Sequence, residues 1–334
     1  MTDNPTDSPI GSPTDNTKEN TAIDDNIVLP FEVKPLGSRG RVVRLGSVID
    51  EIIQKHDYPD SVSRLLGEAV SLVALLGSAL KFEGKLILQT QTDGPVSMIV
   101  ANYTSNGSKA GHIRGYAHFN AEAVAACENE NKLIGKGRLA LTIDQGEHMD
   151  NYQGIVALNG QTISDAAHGY FKQSEQIPTA LKLSAGIIET DGGKSWRAGA
   201  IIIQHMPEDG NASPVGFPSV DPLSGEVRGG FDQNYVENEN WARARALLET
   251  AQDHELLDPT LEPERLLYRL YHEDGVTVYD KTTLEHQCTC SREKVLDTLS
   301  SFSQDDRDAM VVDGKIEVTC QFCSKVQTFK AGSV

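Results

Sequence analysis

Positive charge is scarce in this chain: 30 lysines and arginines stand against 48 aspartates and glutamates, a formal net charge of −18. A surface so acidic repels phosphate backbones and anionic headgroups, so no nucleic-acid and no membrane partner is expected. Long hydrophobic runs are missing as well, and no apolar stretch reaches the roughly 20 residues that cross a bilayer. The first residues lack the positive start and apolar centre of a secretory signal, with Asp3, Asp7, Asp15, Glu19, Asp24 and Asp25 against Lys18 alone. Segment 1–26 therefore reads as a disordered acidic tail, and a cytoplasmic location is expected. Cysteine is sparse too, with five in 334 residues. Cys127 stands alone after an alanine-rich stretch and reads as inert. The other four fall between positions 288 and 323, a clustering that points away from a secreted disulfide framework and towards metal or redox chemistry in a reducing compartment.

What is present suits a globular protein, with 39% hydrophobic and 23% charged residues. Arg41 to Leu45 reads as a strand. Ser47 opens a helix, with Asp50 as a weak capping box and Val48, Ile49, Ile52 and Ile53 at helical spacing. A helix from about Asp60 shows almost no polar face and should be buried. Alternation on both sides of the turn Thr92-Asp93-Gly94-Pro95 predicts a hairpin. Further strands are expected at 112–118, 137–143, 153–158 and 196–203, with a short helix inside 161–186. Residues 206–233 are rich in proline and glycine and read as a hinge. An amphipathic helix over about 240–254 and another starting at Pro263 follow. Their apolar residues Trp241, Leu247, Leu248, Leu266, Leu270 and Tyr271 are the expected client or linker-docking surface. The expected fold class is α+β: an N-terminal mixed sheet-and-helix core domain over 27–205, a helical linker over 206–283, and a small C-terminal zinc-binding α+β module over 284–330.

The four clustered cysteines are spaced C-x-C at Cys288 and Cys290, then C-x-x-C at Cys320 and Cys323. Four thiolates form the closed tetrahedral set that zinc prefers. Between the pairs, Ser291 should begin a helix with Val295, Leu296, Leu299 and Phe302 on one face. Its partly positive N-terminus would face the zinc–thiolate group. Residues 311–318 read as a hairpin closed by Asp313-Gly314. On spacing alone, a zinc ribbon that merely holds a small domain together is the favoured reading. Two features favour a redox switch instead. A bond between Cys288 and Cys290 would sit near the upper limit of about 6.8 Å for Cα separation, and strained disulfides are the labile kind. Cys320 and Cys323 can bridge easily and should oxidise first. The module also follows a hinge and two helices that need a partner surface.

The chain resembles the heat-shock protein 33 family, also called the 33 kDa chaperonin family. The stretch Cys288-Thr289-Cys290-Ser291-Arg292-Glu293-Lys294-Val295 and the stretch Ile316-Glu317-Val318-Thr319-Cys320-Gln321-Phe322-Cys323 are similar to its zinc signature. Tyr170-Phe171 with Gln173-Ser174-Glu175-Gln176-Ile177-Pro178-Thr179 resembles its core signature, and Gly111-His112-Ile113-Arg114-Gly115-Tyr116 fits as well. The resemblance implies a bacterial, ATP-independent holdase, inactive while all four thiolates hold one Zn²⁺. It implies that oxidants convert the cysteines to disulfides Cys288–Cys290 and Cys320–Cys323, release zinc, unfold the module and detach the linker. Unfolding proteins are then the implied partners, with a homodimer as the oxidised form. Two departures stand out. His286-Gln287 precede the first cysteine where an aromatic is common, so His286 is an extra candidate ligand, with solvation the expected alternative. Val326 stands where an aromatic is frequent, which implies looser packing under the zinc site.

Other readings fare worse. Segment 284–330 carries eight acidic residues against six basic ones, so it has no basic face for nucleic acid. No enzyme is expected: four cysteines leave a metal no open position for water. Gly135-Lys136-Gly137 lacks phosphate-loop spacing, and His112, His148 and His168 form no metal spacing.

Overall fold

The computed structural model describes residues 25–80, 83–107, 110–146, 151–172, 177–190, 193–206 and 238–332. The acidic tail through position 24, nearly all of the hinge, and residues 173–176 of the core signature lie outside the described residues.

The architecture is α+β, as expected. Strands β1 (Ile27–Val33) and β2 (Ser38–Leu45) flank a single 3-10 turn and lead into helices α1 (Ser47–Gln54) and α2 (Asp60–Gly77). A meander follows: β3 (Gly84–Thr92), β4 (Val96–Ser105), β5 (Ala110–Phe119), α3 (Ala121–Ala125), β6 (Lys136–Asp144) and β7 (Tyr152–Asn159). Then come α4 (Ile163–Tyr170) and the long hairpin β8 (Thr179–Thr190) and β9 (Gly193–His205). After the hinge lie α5 (Glu239–Glu249), α6 (Asp253–Leu257), α7 (Pro263–Tyr271), β10 (Thr277–Val278) and β11 (Thr282–His286). The C-terminal module contains α8 (Arg292–Ser300), α9 (Gln304–Ala309), β12 (Lys315–Thr319) and β13 (Val326–Lys330).

Among the described residues, one large sheet runs in the order β7-β6-β3-β4-β5-β11-β1-β2-β9-β8, with β10 also on β1. The parallel pairing of β11 with β5 makes it mixed. Helix α2 touches β2, β3, β4, β5, β8 and β9, so the sheet curls around it. That enclosure explains why its sequence has almost no polar face. On the opposite face of β1, β2, β9 and β8, helices α5 to α7 form a second core with Leu29, Phe31, Val33, Val42, Ile201 and Ile203. Side chains alternate across each strand, so one sheet serves two cores.

Several local expectations need correction. Helix α1 has no Ser47–Asp50 capping box: its N-cap is Gly46, and the Asn26 Oδ1 accepts from the backbone N–H groups of Gly46 and Val48, each at 3.0 Å. Asp50 instead accepts from the Trp196 backbone N–H at 2.8 Å, pinning α1 to β9. The helix expected over 240–254 is two helices. Gln252 ends the first run by starting α6, where its backbone N–H donates to Glu255 at 2.8 Å. The main sheet also reaches Thr282–His286, past the boundary drawn at 283. In the module, Asp313 and Gly314 do make a tight turn, with φ of 51° and 76°. It closes only the bridge between Val312 and Lys315. The true hairpin is β12 with β13, turning at Cys320 and Cys323. Phe302 falls beyond α8 and is exposed, so it does not complete that helix's apolar face.

Candidate metal centre

Cys288 and Cys290 lie on the extended segment that leaves β11. Ser291 then caps α8, its hydroxyl accepting from the Lys294 N–H at 3.2 Å. Cys320 and Cys323 lie in the turn between β12 and β13. There the Cys320 N–H donates to the Lys325 carbonyl at 3.0 Å and the Ser324 N–H donates to the Cys320 carbonyl at 2.8 Å. These two arms bring the four sulfurs together, all within 4.8 Å of one another. Two close approaches cross between the arms, 3.7 Å for Cys288 to Cys320 and 3.6 Å for Cys290 to Cys323. A tetrahedral ion with metal–sulfur bonds of about 2.3 Å needs sulfur–sulfur edges of about 3.8 Å. The four cysteines therefore fit a tetrahedral metal ion.

The charges point the same way. Burial works against ionising Cys288, but hydrogen bonds from the Cys290 backbone and from the other three thiols outweigh it and bring its pKa down to about 7. Burial, then the neighbouring sulfurs, push Cys290 up to about 12. Burial raises Cys323 as well. One thiolate is stabilised at the expense of its neighbours, which is what like charges at this spacing dictate. A cation removes the conflict. Helix α8 begins two residues after Cys290 and aims its positive end at the cluster.

The module's own core is small. Among the described residues it consists of Leu299, Ile316 and Phe329, with Val295, Leu296, Val311 and Val318 partly buried around them. The Arg292 guanidinium sits 4.2 Å over the Phe329 ring. Val326 is 53% exposed, and the buried aromatic of the module is Phe329.

The module rests on the core through residues that spacing alone does not single out. Phe322, between the two cysteines of the C-x-x-C pair, meets Tyr116 edge-on at 4.8 Å and lies 4.0 Å beneath the Arg114 guanidinium. Arg114 also donates to the Thr289 hydroxyl at 2.9 Å. The Gln287 N–H donates to the Ile113 carbonyl at 3.2 Å, and Ser324 meets His56 at 3.2 Å. Burial lowers the His56 pKa, and a hydrogen bond to the Phe322 backbone works against that. An aromatic inside a C-x-x-C turn was the one available signal. His286 is neither ligand nor solvated. Its side chain is 5% exposed, and its Nδ1 lies 3.0 Å from the Glu51 carboxylate and 3.1 Å from the Lys55 ammonium. Cys127 is remote from the cluster and donates to the Asn129 carbonyl at 3.2 Å.

The expected linker surface is packed away. Trp241, Leu248, Leu266, Leu270 and Tyr271 are buried against the sheet, with Leu247 at the margin. Tyr271 stacks on Phe31 at 5.8 Å. Among the described residues, no helix is long and apolar enough to cross a membrane.

Comparison with known proteins agrees with this arrangement. The family model described as Hsp33 protein matches residues 26–330. A 33 kDa chaperonin of Caulobacter vibrioides is 41% identical over 313 residues, covering 92% of this chain and 95% of that protein. One of Pseudomonas fluorescens is 34% identical over 299 residues, covering 89% and 88%. The crystal structure of the 33 kDa chaperonin of Thermotoga maritima superposes with a TM-score of 0.69 at 22% identity, over 92% of this chain and 95% of that one. At that identity the likeness speaks for the fold.

Proposed function

The chain belongs to the Hsp33 family of chaperones, and on that premise we propose that it is a redox-regulated, ATP-independent holdase whose resting state is locked by zinc on Cys288, Cys290, Cys320 and Cys323. The observation that carries this reading is the pairing of a tetrahedral sulfur cluster with a module core of three buried side chains. So small a core needs an external source of stability. Zinc on four thiolates supplies about 10–16 kcal/mol to such a fold.

Oxidation of a thiol pair by peroxide forms one S–S bond, with two electrons and two protons passing to the oxidant as it becomes two waters. Each pair oxidised removes two of the four ligands. Bridges within each arm, Cys288–Cys290 and Cys320–Cys323, are the assigned products, with Cys320–Cys323 first. Mass spectrometry of partly oxidised protein tests that order, and an early Cys288–Cys290 bond alone would refute it. With the ligands gone the part of the module that follows β11 unfolds, the linker loses an anchor and its apolar face opens to unfolding clients. A homodimer when oxidised and a cytoplasmic setting belong to the same reading. It is non-enzymatic, since four thiolates complete the tetrahedron.

Light scattering of a heat-unfolding test protein, with reduced and with peroxide-treated chain and zinc release followed in parallel, tests the proposal. Protection by the oxidised form alone, in step with zinc release, is the expected result. Equal protection in both states would leave a purely structural zinc ribbon.

A further inference from the structure

The sheet face beneath the linker is apolar towards Ile203 and becomes cationic towards Arg197, with Lys182 in the middle row beside Ile201 and Val42. Strand register sets this division. On β2, Val42 and Arg44 share the linker face; on β9, Ile203, Ile201 and Arg197 do; on β8, Ala180 and Lys182 do. Three cations are thereby gathered in a protein of net charge −18.

In the docked state all three serve the linker backbone. Arg44, buried, donates to the carbonyls of Asp258 and Leu261. Arg197 donates to the Leu257 carbonyl at 2.7 Å. Lys182 donates to the Ala251 carbonyl at 2.6 Å and lies 3.1 Å from the Asp253 carboxylate. The Ala251, Leu257 and Asp258 carbonyls sit at or just past the ends of α5 and α6, where helices carry partial negative charge, and the Leu261 carbonyl lies in the turn before α7. Asp25 is the acid that the two arginines share, at 2.7 Å from Arg197 and 3.6 Å from Arg44. The linker therefore offers apolar side chains to the apolar part of the face, and acceptors with the carboxylate of Asp253 to the three cations.

When the linker lifts, Arg44, Arg197 and Lys182 lose those acceptors while one carboxylate, Asp25, stays. We propose that the uncovered face selects unfolded segments in which carboxylate side chains flank an apolar run. The inference rests on the holdase reading above and names the client class for it. Carboxylates are stronger acceptors than carbonyls, and the guanidinium fork takes them bidentately. The acidic remainder of the chain would repel such segments elsewhere, so attraction is confined to this face.

The test uses oxidised full-length chain and three labelled, unstructured peptides with one apolar sequence, ending in glutamates, glutamines or lysines. Binding is read by fluorescence anisotropy at low and high salt. The glutamate peptide is expected to bind roughly tenfold more tightly than the glutamine peptide at low salt, with the gap narrowing as salt screens it, while the lysine peptide reports unspecific attraction to the acidic surface and should not gain from Arg44, Arg197 and Lys182. Lys182→Met, at a partly exposed position, and Arg197→Gln should each shrink the glutamate–glutamine gap. Equal affinities for the glutamate and glutamine peptides overturn this inference and leave the holdase reading intact. Failure of every peptide to bind the oxidised chain overturns both.

Discussion

Phe322→Ala separates metal binding from docking of the metal module. The ring contributes no ligand, so the four sulfurs and their metal should be kept. What it loses is the edge-on contact with Tyr116 at 4.8 Å and the place beneath Arg114 at 4.0 Å. An aromatic pair is worth about 0.5–1.5 kcal/mol beyond its area, and an exposed cation–π contact about 0.5–1 kcal/mol. The docked state should therefore weaken by about 1–2.5 kcal/mol, a factor of about 5 to 60 in the docking equilibrium. The other contacts, Arg114 with Thr289, Gln287 with Ile113 and Ser324 with His56, are hydrogen bonds worth about 1 kcal/mol each, present in both proteins, and do not replace what is lost. The assay is amide hydrogen exchange across 287–291 and 320–325 in reduced, metal-loaded protein, with metal content measured alongside. Faster exchange there, at unchanged metal stoichiometry and unchanged exchange in α2, is expected. Exchange as slow as in the parent chain would show that the ring does not hold the module down.

Three further outcomes are expected. A Cβ at Gly199 would lie 2.6 Å from the Leu256 carbonyl, so Gly199→Ala should push α6 off the sheet and raise binding of an apolar dye in reduced protein that still holds its metal; dye binding at the parent level would count against linker docking as the cover. Cys320→Ser should lower metal content and melt α8, β12 and β13 while the main sheet persists, seen as loss of exchange protection confined to the module; a fully protected module would mean that its three-residue core suffices. Burial pushes the Glu68 carboxyl up to about 7 from 4.5, with Arg64 opposing and Asp253 adding. The native state then holds a proton between those values that the unfolded state has released, so stability rises as pH falls from about 7 towards 4.5. Glu68→Gln should stabilise the protein at pH 8 by up to about 3 kcal/mol, and little at pH 5, by urea titration; an equal gain at both would remove the carboxyl as cause.

The cysteine cluster was legible because its signal is carried by residue type and spacing, and any fold that closes the two arms must bring those sulfurs together. The hairpin around it was misplaced because Asp313-Gly314 is a strong turn signal, whereas the actual turn is shaped by the cysteines. Strand β1 is obscured by Pro30, which usually argues against an interior strand. It is tolerated because β11 pairs at Ile27 and Val28 and β10 at Phe31 and Glu32, leaving Pro30 in the gap. Strand β8 is covered on both faces, with Leu181, Leu183 and Ala185 towards α2 and Ala180 and Lys182 towards the linker, so Lys182 reads as solvent-facing although it serves the linker. Arg44 and Arg197 gave no warning at all. A buried arginine is visible only once its partners are known, and those partners are carbonyls from distant helices.

In the proposed switch, the five residues of β11 would join the sulfur cluster to the linker. Strand β11 ends at His286, two positions before Cys288, and lies in the middle of the sheet. It pairs with β5 over four residues but with β1 over only two. Its far end is held by Gln287 on Ile113 and by His286 between Glu51 and Lys55, contacts that a docked module keeps in place. Once the module melts, that end is free to fray, and β10, which is two residues long and exposed, offers little resistance upstream. The linker helices cannot stand alone either. Helices α5, α6 and α7 have 11, 5 and 9 residues, below the roughly 12–15 at which even favourable sequences are marginally helical in water. They persist because the sheet buries their apolar faces and its three cations hold the carbonyls at their ends. On the proposed reading, loss of the anchor at β11 would act on segments whose structure depends on being docked, and a change of a few kcal/mol at the metal end would suffice to shift them.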